Sequence, residues 1–322
     1  VSAVAVLKGG RSLERQVSLK SGARVEESLR RLGHRVTGID VGPDLVTRLG
    51  EIVPDCCFVA LHGRDGEDGT VQELLEVMQI PYTGSRAAAC ALAADKVTSK
   101  RAFRSAEIPT ADFFSFSEGA FQSLGAGQAL GLLDARLGFP IVVKPAVQGS
   151  ALGIKFAQTA ADLPTALIAA FSYDRKVLLE RFIAGRDLAV GIVEGSDGEP
   201  VALPIVEALP EDGRAGSDAS GTSYDYESRY EIGRTRFVCP AELDSDVTTR
   251  AQAIALAAYD QLGCRGFARA DLMLSDDTGE LAVLEVNPIP GLTETSLLPL
   301  AADAAGIGFD DMVGQILAAA LR

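Results

Sequence analysis

No apolar run in this chain approaches the roughly 18 residues that cross a bilayer, and the opening VSAVAVL is too short and lacks the basic start of a secretory signal. No membrane partner is expected, and the expected location is the cytoplasm. Basic charge is also scarce. With 30 Lys and Arg against 44 Asp and Glu, the net charge is −14, which argues against nucleic acid as a partner. Any phosphate bound here must be met by local cations. The five cysteines, Cys56, Cys57, Cys90, Cys239 and Cys264, are odd in number and lack CxxC spacing, so reduced core thiols are expected. Only two histidines occur and Ser150 has no GxSxG frame, which sets aside a Ser-His-Asp hydrolase. The P-loop pattern GxxxxGK[ST] is missing as well.

What is present is a 322-residue chain with 47% hydrophobic content, enough for two or three domains at ~100–200 residues each. Residues 3–7 read as a strand, broken by Gly9-Gly10 and followed by a helix over 18–31. Strands at 35–40 and 56–61 and a helix over 70–80 complete an α/β unit. Strands alternating with helices predict a doubly wound parallel sheet, with ligands beyond its strand ends near Gly10-Arg11-Ser12 and His62-Gly63-Arg64. A second, α+β unit has a strand ending at Lys144-Pro145, the glycine loop Gln148–Gly153, a strand at 154–157, a helix over 161–171 and a strand at 177–182. Two strands over 186–209, a Gly/Ser/Asp loop over 211–223, a helix over 241–263 and helices near 294–304 and 309–321 follow. The Gly125–Gly131 cluster misses GxGxxG spacing and reads as a loop or helix start. The domain boundaries expected are 1–92, 93–185 and 186–322.

Candidate chemistry concentrates in the stretch 264–296. Two apolar runs around the turn 275–279 predict a β-hairpin. Side chains two apart on a strand share a face, so Arg269 and Asp271 point one way, as do Glu285 and Asn287. One guanidinium and three oxygen donors suit magnesium and phosphate, although surface charges on an ordinary hairpin read equally well from this stretch alone. The 148–153 loop lets backbone N–H groups approach phosphate, or is simply a tight turn. Lys96 and Lys144 are phosphate cations or solvated lysines, Lys144 being the more suspicious after four apolar residues. Glu180, with Phe182, Ile183 and Asp187 nearby, would suit adenine and ribose or be plain strand-end charge. Glu14 reads as a ligand for a cationic group or as a helix-start carboxylate. His62 caps an apolar strand and enters a polar glycine-rich loop. The run Tyr224–Tyr230 reads as a lid or as surface tyrosines.

Taken in order, VAVLKGGRSLERQVSLKSG, ALHGRDGEDGTVQ, PYTGS, DKVTSK, VVKPAVQGSALG, YDYESRY, RGFARADLML and LEVNPIPGLTETSLLP resemble the ATP-grasp ligases, and within them the D-alanine:D-alanine ligase family, along nearly the whole chain. The resemblance implies a three-domain ATP-grasp architecture. It assigns Asp271, Glu285 and Asn287 to two magnesium ions, with manganese as an alternative ion. Lys96, Lys144, Gly149 and Arg229 would meet ATP phosphates, Glu180, Phe182, Ile183 and Asp187 adenine and ribose, and Met273 and Leu284 the flat of the ring. Glu14 would bind the ammonium of the first D-alanine in a set with Ser150 and Tyr230. His62 would lie beside that substrate, Arg269 and the Gly291 N–H would stabilise the oxyanion, and Ser296 with Leu297 would hold the second substrate. The implied activity is ATP-dependent joining of two D-alanines through an acylphosphate, for peptidoglycan, by a homodimer. An amide ligase for another amino-acid pair and a nucleotide-binding protein without turnover are the other readings. Three positions depart from the pattern: Ala151 where a second serine is common, Arg229 in place of lysine, and Lys8 in place of an apolar residue. Retained Tyr230 argues against the relatives that form D-alanyl-D-lactate.

Overall fold

The structure, a computed structural model, describes residues 1–149, 151–210 and 235–322. The chain opens with β1 (Ala3–Lys8), α1 (Arg15–Arg31), β2 (Arg35–Asp40), α2 (Leu45–Ile52), β3 (Cys56–Val59), α3 (Thr70–Val77), α4 (Ala87–Ala94) and α5 (Lys96–Ser105). Next come β4 (Phe113–Ser117), α6 (Glu118–Leu124), α7 (Leu133–Leu137), β5 (Ile141–Pro145), β6 (Lys155–Ala157), α8 (Leu163–Phe171) and β7 (Lys176–Arg181). The remainder contains β8 (Gly185–Glu194), β9 (Pro200–Ala202), β10 (Val206–Pro210), β11 (Thr235–Val238), α9 (Ser245–Gln261), β12 (Phe267–Ser275), β13 (Leu281–Asn287), α10 (Leu297–Ala304) and α11 (Phe309–Ala320). The Gly125–Gly131 cluster falls mostly in a 3₁₀ turn, Ala126–Leu132.

Three sheets carry the fold. The first is parallel, in the order β2-β1-β3, as the alternating strand and helix pattern predicts. The second is antiparallel, β4-β7-β5-β6, and the third joins β11-β10-β8-β12-β13 with β9 beside β8. Period-2 alternation gives the second sheet two different faces. Ile141, Val143, Val177 and Leu179 pack under α7 and α8, while Val142, Lys144, Leu178 and Glu180 share the opposite face. The third sheet behaves alike. Ala268, Ala270, Leu272, Leu188, Val190 and Ile192 pack against α9, which leaves Arg269, Asp271 and Met273 on the other side, opposite Gly191, Ala189 and Asp187 of β8.

Cores do not follow the order of the chain. Val4, Val6, Leu29 and Phe58 of the first unit share one core with Leu298, Met312, Val313 and Ile316 of the last two helices. The ends of the chain are thus packed together, and the bidentate pair Arg31–Asp310 (2.8 and 2.6 Å) adds an exposed tie between α1 and α11. No helix among the described residues is long and apolar enough to cross a membrane. All five cysteines are free, and burial raises the thiols of Cys56 and Cys57 to about 12, which leaves them inert as nucleophiles.

Candidate active site

The β12–β13 hairpin forms as its alternation predicts, with Arg269 opposite Asn287 and Asp271 opposite Glu285. Its register then shifts. Leu272 pairs with Val283, so Leu284 bulges out unpaired. Strict alternation would put Leu284 on the face opposite Glu285. The bulge leaves both partly exposed, and bulges of this kind re-aim side chains beside active sites. Met273 lies on the site face of β12, directly opposite Asp187.

The polar groups on this hairpin hold one another. The Arg269 guanidinium donates Nε to Asp271 Oδ1 at 2.7 Å and a terminal nitrogen to Oδ2 at 2.8 Å. Lys96 Nζ lies 3.0 Å from Glu285 Oε2 and donates to the Gln148 carbonyl at 2.8 Å. That lysine starts α5, whose N-terminus is capped by Asp95 accepting from the Val97 and Thr98 N–H groups. A capped helix end thus aims one cation at both the glycine loop and the acidic strand. Burial pushes the Glu285 carboxyl up, but Lys96, Lys144 and Arg269 together overcome this and hold it at about 2. With a side chain 30% exposed, Glu285 remains reachable by a ligand.

The second sheet supplies a different arrangement. Glu180, 2% exposed, lies between Lys144, which meets Oε2, and Lys100, which meets Oε1. Burial raises the Glu180 carboxyl, and the two ammonium groups more than reverse it, so its net shift is downward. Lys100 was not among the expected site residues. It lies in DKVTSK, four residues after Lys96, and the spacing i, i+4 puts the two on one helix face. Phe182 meets Phe156 edge to face at 5.8 Å, and its N–H donates to the Pro140 carbonyl. Ile183 follows it at the exit of β7, partly exposed.

On the side of the parallel sheet, Glu14 occupies the N-cap position of α1 without capping it. Its carboxylate lies against Gly63 and Gly149, close enough that a Cβ on Gly63 would collide with it. Glu14 is thus the helix-start carboxylate of one reading, and it also lies between two glycine loops. His62 is 3% exposed. Its Nδ1 faces the Ile289 carbonyl at 3.1 Å and its Nε2 the Ser21 hydroxyl at 2.9 Å. A carbonyl only accepts, so Nδ1 donates to Ile289, while Nε2 and the Ser21 hydroxyl share the second hydrogen bond. Ser21 Oγ also accepts the Leu292 N–H at 3.1 Å, and Arg24 donates to the Leu292 and Thr293 carbonyls. Helix α1 and His62 thus clamp the 288–296 loop that bears Gly291 and Ser296. Ser296 precedes α10 and accepts at Oγ from the Thr293 N–H at 3.0 Å. Gly291 approaches that hydroxyl too closely for any Cβ. Leu297, the first residue of α10, packs on the shared core. Ser21, Arg24 and Glu67, the last accepting from Asn287 Nδ2 at 3.4 Å, were also missed, because only tertiary packing shows what they hold.

Ser150, Arg229, Tyr230 and the 211–230 lid lie outside the described residues. Of the departures, Ala151 takes φ +54°, a conformation uncommon for a side chain other than Gly, Asn or Asp. Lys8 pairs with buried Glu26 at 2.5 Å.

Lys96 and Lys100 of α5 thus bridge two antiparallel sheets, one bearing Lys144 and Glu180 and the other Arg269, Asp271 and Glu285. A family model described as D-ala D-ala ligase C-terminus matches residues 102–318, and its N-terminal counterpart matches 47–85. The chain is 43% identical over 317 residues to the D-alanine–D-alanine ligase of Syntrophotalea carbinolica, covering 98% of this chain and 95% of that one. It is 40% identical to the enzyme so named from Moorella thermoacetica, covering 99% of both. The ATP complex of the Bacillus anthracis D-alanine–D-alanine ligase superposes with TM-score 0.81 at 31% identity, covering 100% of this chain and 98% of that one. The VanG D-Ala:D-Ser ligase of Enterococcus faecalis gives 0.80 at 25%, covering 98% of both. The chain belongs to the D-alanine–D-alanine ligase family.

Proposed function

We propose that this protein joins two D-alanine molecules into D-alanyl-D-alanine with cleavage of ATP to ADP and phosphate, supplying peptidoglycan synthesis in the cytoplasm. The reading is carried by full-length identity of 40–43% to enzymes so named, together with a cleft whose charges suit the chemistry. A carboxylate oxygen of the first D-alanine attacks the γ-phosphorus, and ADP leaves. The amine of the second D-alanine then attacks the acylphosphate carbonyl, loses a proton and expels phosphate. Lys96 and Lys144 would offset charge on the phosphates, and Glu14 would hold the first ammonium between the Gly63 and Gly149 loops. Arg269 and the Gly291 N–H would meet the oxyanion, where a single donor is typically worth ~3–4 kcal/mol. Asp187, Met273 and Leu284 would line the nucleoside end.

Magnesium suits the donors present. Asp271 and Glu285 are directly paired across two strands, and Asn287 beside them accepts the Ile289 N–H at Oδ1 (2.9 Å) and donates from Nδ2 to Glu67, which leaves its oxygen a second lone pair. All three are hard oxygen ligands. Bound there, the metal would offset phosphate charge, and Arg269 and Lys96 would be released to the substrates. We further propose division of the chain into 1–92, 93–185 and 186–322, and assembly as a homodimer.

The deciding measurement is ADP release across an amino-acid panel. Turnover should require D-alanine and a divalent cation, and strong turnover only with L-amino acids or D-lactate would overturn the assignment. The similarity to a D-Ala:D-Ser ligase supports one second reading, D-serine as acceptor, which the same panel separates.

A further inference from the structure

Lys100 is wholly excluded from solvent, and a buried ammonium is stable only when its N–H groups find partners. Three acceptors surround it: Glu180 Oε1, Thr110 Oγ1 and, at 3.3 Å, the Val283 carbonyl. Wholly buried among these oxygens, the Lys100 ammonium has no path to a ligand. Lys96, one turn (about 5.4 Å) earlier on the same helix face, is 11% exposed and reaches the cleft.

The partners of Lys100 lie on three elements of the cleft. Glu180 is on β7 of the second sheet. Thr110, just before β4, passes its own hydrogen to the Val283 carbonyl at 2.7 Å, and the Val283 N–H donates to the Pro109 carbonyl at 2.8 Å. Val283 directly precedes the bulged Leu284 and then Glu285. One ammonium therefore ties the nucleotide-facing strand of one sheet to the acidic strand of the other. It also shares the charge of Glu180 with Lys144, whose ammonium meets the other oxygen of that carboxylate.

We propose that Lys100 is a positioning residue for nucleotide binding, one that satisfies Glu180 from behind so that Lys144 can turn its charge to a phosphate, and that fixes the Val283 end of the metal-bearing strand. The inference rests on the reading of this cleft as the ATP site. Without Lys100, Glu180 draws wholly on Lys144 and competes with phosphate for it.

The test is a double-mutant cycle read by equilibrium titration of ATP and of adenosine, with far-UV circular dichroism on every variant. Lys100→Met should weaken ATP about tenfold and adenosine less than about twofold, since the loss is a charged contact made through Lys144. KM for ATP should rise by a similar factor while kcat at saturation changes less. Because Lys100 acts through Glu180, K100M/E180Q should bind ATP within about twofold of E180Q alone. Unchanged ATP affinity in K100M, equal losses for ATP and adenosine, or multiplying effects in the double variant would each overturn the proposal. Should K100M fail to fold, Thr110→Val keeps every charge and removes the hydroxyl that holds both Lys100 and Val283; it should weaken ATP about threefold, and wild-type affinity there overturns the proposal. An unaltered protein that does not bind ATP overturns the proposed function itself, and this inference with it.

Discussion

Glu180 and Glu285 are both carboxylates met by lysine within one cleft, yet they differ in depth. Glu180 is 2% exposed and lies between two ammonium groups. Glu285 is 30% exposed, with one lysine at 3.0 Å and an arginine–aspartate pair beside it. Charges of the first kind have lost their hydration and cannot trade partners without leaving a bare ion in a low dielectric. Those of the second kind keep water nearby, so a ligand can replace Lys96 or Arg269 at small cost. Depth separates residues that hold the cleft from residues that work in it.

The largest effect expected from breaking this contrast is on turnover. Glu285→Gln should lower the rate of ADP release by about 10²–10³ or more, on the scale of losing one preorganised electrostatic group, with an unchanged circular dichroism spectrum. Stability should respond in the opposite order. Glu180→Ala strands two buried lysines and should cost about 3–5 kcal/mol in denaturant unfolding, whereas Glu285→Ala should cost within ~1 kcal/mol, since Lys96 keeps the Gln148 carbonyl. Equal losses in the two variants would remove the distinction by depth.

A third variant probes the clamp on the substrate loop. Ser21→Ala removes the acceptor of the Leu292 N–H and the hydroxyl hydrogen-bonded to His62 Nε2. It should reduce kcat/KM for D-alanine about tenfold, as for a small misplacement of a reacting group, and leave ATP affinity unchanged. Loss of ATP affinity instead would show that the loop is coupled to the nucleotide side.

The smallest effect belongs to the exposed pair Arg31–Asp310. Bonds from Arg31 and Ser28 hold the Asp310 carboxyl at about 2, below its ordinary 3.8. A depressed carboxyl adds stability above its unfolded value and loses it as pH falls through the folded one. Asp310→Asn should therefore be slightly less stable than the unaltered protein at pH 6, and the difference should vanish between about pH 4 and pH 2. A difference that persists at pH 2 would mean that the pair acts by packing rather than by charge.

Several parts of the site were legible in the chain itself. The pairs Arg269/Asp271 and Glu285/Asn287 follow from a period of two. The glycines around Gly149 and Gly63 read as loops, the first of them one that lets backbone N–H groups come close to a ligand, whereas the cap by which Asp95 fixes the start of α5 at Lys96 came from the structure. Leu284 was different, because simple alternation sets it on the face opposite Glu285, whereas the bulge leaves it unpaired and partly exposed. His62 offered the right residue at a strand end, but its ties to Ile289 and Ser21 join segments over 40 and over 220 residues away and leave no local trace.

Residue order alone determined most of the strands and helices, the parallel character of the first unit, the acidic hairpin and the lysines available to it, since alternation and turn chemistry act over a few neighbouring residues. Tertiary structure alone decided that Lys100 is wholly enclosed while Lys96 keeps a narrow exposure, that Leu284 bulges, and that the last helices complete the core of the first sheet. Those outcomes depend on which surfaces exclude water once distant segments pack, and exclusion of water is what turns one lysine into a strut and leaves another at the edge of the cleft.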